Sequence, residues 1–477
     1  MANSRRKLKY ESLAEEITGL IRTGTYQPGA LLPSVRALGN QKGLSVSTVL
    51  KAYYLLEAQG LIQARPRSGY FVHPAPRLAT PEPEISTPAP DPAKVSVREL
   101  VTMLLHDGLN PDLVPLGVAY PGPDLSEAGK LIRLLGSIAR EMGDESGRYD
   151  MPPGCEPLRV QIARRAAAGG TDLAPGDLIT TCGCTEAINI CLRAVCRPGD
   201  TVAVESPICM DALQVLETLG LKALEIPTSP RDGISLEALA FALDHNPVRA
   251  CIVISNFNNP LGSLMPEAHK KELVEILARR EVPLIENDIF GELGFGDQRP
   301  PTAKAFDRQG LVLLCSSFSK SLFPGFRVGW TAPGRFRSRV EWLKYTTTHA
   351  TPTLAQLALA EFMAGGGFQQ HLRRVRKVYA QRLGSMRRAV IRHFPEGIRV
   401  TRPAGGFLLW VQLPDKVDSQ ELYKRALENG IAITPGHIFS ASDRYRDFIR
   451  LNAAQWSEEK DWAMRRLGLL TAELAEG

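Results

Sequence analysis

The 477-residue chain has only eight cysteines, and no two of them form a C-x-x-C pair. Cys182 and Cys184 are spaced C-x-C, but no His/Cys cluster completes a ligand set. Neither a metal site nor a disulfide framework is expected, and the thiols read as buried side chains of a reducing compartment. No apolar run reaches the roughly eighteen residues that a membrane-spanning helix needs. The N-terminus is polar and basic, without the apolar stretch of a secretory leader, so a cytoplasmic location is expected. No internal repeat is visible, which sets aside solenoids and propellers. Aspartate is absent from residues 1–73, which hold ten Lys or Arg against four Glu, a net charge of +6. The rest of the chain holds 47 charges of each sign, so all the excess positive charge lies in the first module and directs that module at a polyanion.

What is present divides the chain. Apolar residues make up 44% and charged residues 23%, ordinary globular values, and the length suits two to four compact units. Seven prolines from Pro74 to Pro92 exclude helix and central strand, and residues 74–95 read as an extended, semi-rigid linker between a module at 1–73 and a body at 96–477. In the module, Leu13, Ile17, Leu20 and Ile21 recur at helical spacing, Ser34 suits an N-cap, and Ser45 to Gln59 forms a third helix with Val49, Tyr53 and Leu56 on one side. Two short strands, Leu61–Ala64 and Gly69–Val72, flank Arg65-Pro66-Arg67-Ser68. In the body, apolar runs at Thr201–Glu205, Ala250–Ser255, Pro283–Glu286 and Leu311–Cys315 alternate with helix-length sequence. That alternation predicts an α/β fold with a mainly parallel sheet between helices.

Three helices and a basic hairpin make a winged helix-turn-helix. The string Gly24, Pro28-Gly29, Leu32-Pro33-Ser34-Val35-Arg36, Ser45-Val46-Ser47-Thr48-Val49, Ala52-Tyr53, Leu56-Glu57, Gly60-Leu61 and Ser68 to Val72 closely resembles the GntR family over residues 10–72. The resemblance implies sequence-specific binding of double-stranded DNA. Ser45, Ser47, Thr48 and Lys51 would lie near the start of the recognition helix, where base edges are read, and Arg36 would begin the preceding helix. Arg65 and Arg67 on the wing would reach phosphates or the minor groove. Ser47 and Thr48 suit helix capping equally well, and Arg65 and Arg67 suit a solvated turn.

In the body, Ser316 to Trp330 places Lys320 just after a strand and Arg327 seven residues later. Gly183-Cys184-Thr185-Glu186-Ala187 opens a helix after another strand, Asn256 to Gly262 is an Asn-Pro turn, and Tyr149 with Gly154 to Arg159 follows a Y-x-x-x-x-G-x-x-x-L-R pattern. From about residue 115 to 470 these segments resemble the fold-type I aminotransferases, with a small α+β subdomain at the C-terminus. The resemblance implies that Lys320 carries pyridoxal 5'-phosphate as a Schiff base. Ser317, Arg327, Cys184 and Thr185 would hold its phosphate, and Asn259 would bond its ring hydroxyl. Arg450 would bind a substrate carboxylate, and Tyr149 would also contact the substrate or effector.

Three positions depart from the family pattern. Glu286-Asn287-Asp288-Ile289-Phe290 stands where the family has an aspartate under the pyridine nitrogen and, three residues on, a tyrosine. Counting back from Phe290 puts Asn287 under that nitrogen, and Asp288 serves only if the loop shifts by one residue, so both positions stay open. Phe290 lacks the tyrosine hydroxyl. Cys209 occupies the place of an aromatic ring that stacks on the cofactor. These changes predict cofactor binding with weak carbanion stabilisation, which suits a sensor better than a fast enzyme.

A GntR-like head, a proline-rich linker and an aminotransferase-like body together resemble the MocR subfamily of regulators. That implies a head-to-tail homodimer in which each subunit completes the other's cofactor site, and an amino acid or amine effector sensed by formation of an external aldimine. A working amino-acid aminotransferase with an attached DNA-binding head is the main alternative. A constitutive DNA-binding protein whose body only dimerises is a third.

Overall fold

Leu13, Ala14, Ile17 and Ile21 fall on one side of a helix, and those are the side chains that the first helix buries. A computed structural model of the chain describes residues 9–58, 61–65, 68–73, 80–96, 101–102, 104, 107 and 110–476. It divides into two compact units, one from Met1–Pro81 with Gly384–His393 and the other from Glu82–Leu383 with Phe394–Gly477.

In the small unit, helix α1 spans Lys9–Arg22, α2 spans Val35–Lys42 and α3 spans Val46–Ala58. The Ser34 hydroxyl caps α2 by accepting the Ala37 N–H at 3.2 Å, and Gly43 ends the helix in the left-handed conformation. Val49, Ala52, Tyr53 and Leu56 make the buried stripe of α3, and the Tyr53 hydroxyl donates to the Pro33 carbonyl at 2.7 Å. Each of the larger side chains contributes about 1.5–3 kcal/mol by leaving water. The hairpin pairs Ile62–Arg65 with Gly69–Val72 in antiparallel register, Ile62 opposite Val72. On the other side of Gly69–Val72, the segment at 29–32 exchanges backbone hydrogen bonds with Tyr70 and Val72, an extra short strand that the sequence did not reveal.

The large unit is built on a nine-stranded sheet in the order Ala93–Lys94, Lys222–Ser229, Thr201–Ser206, Val248–Val253, Leu284–Asn287, Val312–Ser317, Gly329–Ala332, Ile179–Thr181, with Gly233–Ile234 pairing on Lys222–Ser229. The strands from Lys222–Ser229 to Val312–Ser317 pair in parallel, and Gly329–Ala332 runs against its neighbours. Every residue of Thr201–Ser206 and Val312–Ser317 is buried, as in a sheet covered by helices on both faces. A second, antiparallel sheet of Arg399–Val400, Leu408–Gln412, Phe448–Asn452 and Thr434–Pro435, with helices Ser419–Glu428 and Asp461–Glu476, forms the C-terminal α+β part. All eight cysteines are free, and seven of them are buried. Among the described residues no helix is long and apolar enough to cross a membrane.

Residues 82–94, in the second half of the segment read as a semi-rigid linker, pack on the large unit. Ser86 donates to the Ser206 carbonyl at 2.6 Å and accepts the Thr228 N–H at 2.8 Å, Glu84 pairs with Arg399 at 2.5 Å, Glu82 pairs with Arg231, and Ala93–Lys94 adds to the sheet edge. Proline excludes helix and central strand, but it leaves side-chain hydroxyls and carboxylates free to dock an extended segment.

Candidate functional site

The chemistry collects where the strands of the large unit end. Thr181, Ser206, Val253, Asn287 and Ser317 are the last residues of strands that run the same way. The segments that follow carry Gly183–Thr185, Cys209, Asn256–Asn259, Asp288 and Lys320. Ligand sites in such sheets form at this carboxyl edge.

Lys320 Nζ donates to the Ala119 carbonyl at 2.7 Å and lies 5.9 Å from the centre of the Tyr120 ring. Burial lowers its pKa below the ordinary lysine value, and neighbouring Arg450 and Arg327 push the same way, against the raising effect of Asp211 and Cys209. A lysine held in this way is biased toward the neutral, nucleophilic amine.

Arg327 sits in the left-handed conformation, φ 50°, a departure that non-glycine residues make at a cost of order 1–2 kcal/mol. Its guanidinium donates to Ser319 Oγ at 3.2 Å and to the Cys182 carbonyl at 3.3 Å, and among the described residues it has no carboxylate partner. It lies against Gly183, the N-cap of the helix Cys184–Val195, where a Cβ would come 2.5 Å from the Arg327 guanidinium nitrogen. Thr185 is exposed in the first turn, and Ser317 Oγ accepts the Ser319 N–H at 3.3 Å. A guanidinium, a helix N-terminus and three hydroxyls form a cradle whose chemistry fits a phosphate.

Arg450 has 0% exposure and donates to three neutral acceptors: Asn259 Oδ1 at 3.1 Å, the Gly117 carbonyl at 3.0 Å and Thr434 Oγ1 at 3.4 Å. Among the described residues its Nε has no partner, and the guanidinium lies 5.0 Å from the centre of the Phe439 ring. Burial lowers its pKa to about 10, with Asp211 and Cys209 offsetting part of that effect. Asn259 is free for this contact because Asn258 holds the turn, accepting the Leu261 N–H on its side chain.

Asn287 and Asp288 face different surroundings. Asn287 Oδ1 accepts from the Cys184 thiol at 3.4 Å, at the start of the helix that forms the cradle. Asp288 instead accepts from Asn256 Nδ2 at 2.8 Å and pairs with Arg299. Asp288 therefore belongs to a buried polar network with Arg299, Glu292, Arg165, Arg376 and Lys270. Phe290 is buried edge-on against Phe407, in the apolar cluster that also holds Phe318 and Leu322 on either side of Lys320. Cys209 caps the helix Met210–Thr218, and burial pushes its thiol up to about 12. Tyr149 is not drawn into this group within the chain. It is 75% exposed, and its ring lies 6.0 Å from that of His349.

Two residues escaped the sequence reading. Tyr120 follows the carbonyl that Lys320 bonds. Asp211 is the carboxylate whose charge raises the pKa of both Lys320 and Arg450. It stands in the first turn of a helix, where an acidic residue ordinarily complements the helix dipole, so its sequence signal is that of a common capping pattern.

In the small unit, Arg36, Ser45, Ser47, Lys51 and Arg65 are exposed. Ser45 Oγ caps α3 by accepting the Thr48 N–H at 3.2 Å, and it lies 2.9 Å from Ser47 Oγ and 2.8 Å from Thr48 Oγ1. Lys51 Nζ lies 6.0 Å from the centre of the Tyr10 ring, and the Arg65 guanidinium stacks 4.4 Å from that of Phe71. Arg67 lies outside the described residues.

Residues 119–464 match the family Aminotransferase class I and II, and residues 9–72 match the bacterial regulatory proteins of the gntR family. The uncharacterized HTH-type transcriptional regulator YdcR of Escherichia coli (strain K12) is 40% identical over 466 residues, 98% of this chain and 99% of that protein. The probable rhizopine catabolism regulatory protein MocR of Rhizobium meliloti is 27% identical over 429 residues, 89% of this chain and 86% of that protein. Among solved structures, LysN, the alpha-aminoadipate aminotransferase of Thermus thermophilus complexed with N-(5'-phosphopyridoxyl)-L-leucine, is 28% identical. It superposes with a TM-score of 0.73, covering 80% of this chain and 96% of its own.

Proposed function

The chain belongs to the MocR-like transcriptional regulators, in which a GntR-family DNA-binding head is fused to an aminotransferase class I and II body, and from that premise we propose that it regulates transcription, in the cytoplasm, in response to an amino acid or amine that reacts with pyridoxal 5'-phosphate at Lys320. The observation that carries this reading is the convergence of three cations. The charges of two arginines act on Lys320: Arg327, which has no carboxylate partner among the described residues, and Arg450, which is buried among neutral acceptors. A phosphate at one end and a carboxylate at the other would satisfy both guanidiniums.

When bound, the cofactor supplies an aldehyde that exchanges Lys320 for another primary amine. The chain's own residues do the rest. Arg327, Ser317, Ser319 and the amides opening Cys184–Val195 hold the phosphate. Asn259 is tied to Arg450, so the ring-side and carboxylate-side contacts share one hydrogen bond. Burial lowers the Lys320 pKa, which favours its return as an amine. Asn287, which cannot carry a charge, faces the ring side. A head-to-tail homodimer would bring the exposed Tyr149 to a partner's site and give two heads for two half-sites. An effector changes DNA binding only if it binds two arrangements of the dimer unequally.

The visible absorption of the purified protein tests this. Wild type should show a cofactor band that Lys320→Ala loses, and amino acids should shift that band without sustained conversion to the amine form of the cofactor. Rapid conversion that a keto acid reverses would establish the alternative, an active aminotransferase, which Lys320, Asn259 and Arg450 favour and Asn287, Phe290 and Cys209 disfavour. A protein that holds no cofactor would leave a DNA-binding dimer.

The departure at position 287 has its own test. Asn287→Asp would place a charge on the cofactor side, beside Cys184, while Asp288 keeps its own partners. A charge aimed at the reacting group in a buried site is worth on the order of 10²–10³ in rate. Single-turnover conversion by an amino acid should rise by about 10²-fold. An unchanged rate would mean that Asn287 does not face the ring nitrogen.

A further inference from the structure

The recognition helix presents an apolar side chain at its tip. Val46 is the first residue of α3 and is 53% exposed. Of its neighbours, Ser45, Ser47 and Thr48 turn their hydroxyls toward one another, 2.8–2.9 Å from Ser45 Oγ, and toward the Thr48 N–H, which caps the helix. The first turn of α3 holds no charged residue, and the only cation of the helix is Lys51, directed at the Tyr10 ring. No guanidinium or ammonium of α3 therefore stands at its leading edge to make the bidentate contact that marks guanine. In the free protein Val46 leaves 53% of its surface to solvent. In a major groove, the one apolar feature it can meet is the 5-methyl group of thymine.

We propose that Val46 is a base-reading residue that packs on a thymine methyl in each half-site. The head prefers thymine at that position through van der Waals contact. This rests on the reading of the head as a DNA-binding module.

The test removes one methyl group from the DNA and nothing else. Full-length protein would first select a preferred duplex from a randomised double-stranded pool. Each thymine of that duplex would then be replaced singly by uracil. Wild type should lose affinity about four-fold, the worth of one buried methyl, at one position per half-site, and hardly at all elsewhere. Val46→Ala should bind the thymine duplex more weakly and no longer distinguish it from the uracil one. Because Val46 is exposed and outside the buried stripe of α3, this variant should keep the wild-type melting temperature. The proposal fails if no thymine is methyl-sensitive, or if Val46→Ala keeps the wild-type ratio. A pool that never enriches would overturn the DNA-binding reading itself, and the proposal with it.

Discussion

Arg299→Met should destabilise the large unit by about 3–5 kcal/mol, the usual cost of removing one partner from a buried ion pair. Arg299 Nε lies 3.1 Å from Glu292, another guanidinium nitrogen pairs with Asp288, and its side chain is 10% exposed. Glu292 also takes Arg165 at 2.5 Å and Arg376 at 3.5 Å. Methionine fills much of the same volume, so the loss comes from the two carboxylates left behind. Asp288 would keep only Asn256 and the neighbouring Lys270, whose own pKa burial lowers to about 8. Thermal or denaturant unfolding measures the difference. A loss under about 1 kcal/mol would mean that water or Arg165 replaces the guanidinium.

The deficit should depend on pH with a definite sign. In the wild type, burial raises the Asp288 pKa despite Arg299, whereas for Glu292 the arginines outweigh burial and hold it below the usual carboxylate value. Without Arg299 both groups move up. A carboxylate whose folded pKa exceeds its unfolded value binds more protons in the native state, so stability falls as pH rises through that window. The variant should therefore come closest to wild type at the acid end, below the ordinary carboxylate range, and fall furthest behind at neutral pH and above. A gap that does not change with pH would mean that the protonation of these two carboxylates does not depend on Arg299.

This network also shows what could be read from the sequence and what could not. The head was legible because its information is local: a 3.6-residue apolar period, a serine cap and glycine stops. The four apolar runs of the body became central strands within a residue or two. Lys222–Ser229 was missed because it alternates Lys222, Glu225 and Pro227 with its apolar residues, and Gly329–Ala332 because its residues were absorbed into the lysine motif. The choice between Asn287 and Asp288 could not be made by counting. Adjacent residues at a strand end point to opposite sides, and which side meets the helix Cys184–Val195 is decided by Arg299 and Asn256, remote in sequence. The nearness of Asp211 to both Lys320 and Arg450 is likewise a product of chain folding, and Tyr149 stays exposed within the chain.

Arg450→Met should make the ligand-free protein more stable and the proposed effector site less discriminating. At neutral pH the guanidinium is charged in both the folded and unfolded states, because even its lowered pKa is about 10. Its desolvation is met only by a side-chain amide, a backbone carbonyl and a hydroxyl, with Nε unpaired. A well-packed apolar side chain in place of buried ionic groups commonly stabilises by about 1–4 kcal/mol. The same change would remove the buried guanidinium that a carboxylate beside Lys320 could reach, and losing a partner of that kind costs about 2–5 kcal/mol of binding, or roughly 30-fold to several thousand-fold. Titrating the visible band with leucine and with isopentylamine, which is leucine without its carboxylate, separates the effects. Leucine should weaken by at least about 30-fold and isopentylamine by only a few-fold, while the melting temperature of the free protein rises. Equal losses for the two ligands would show that Arg450 holds the fold of the site rather than a carboxylate. A lower melting temperature would show that its three neutral acceptors already compensate the buried charge.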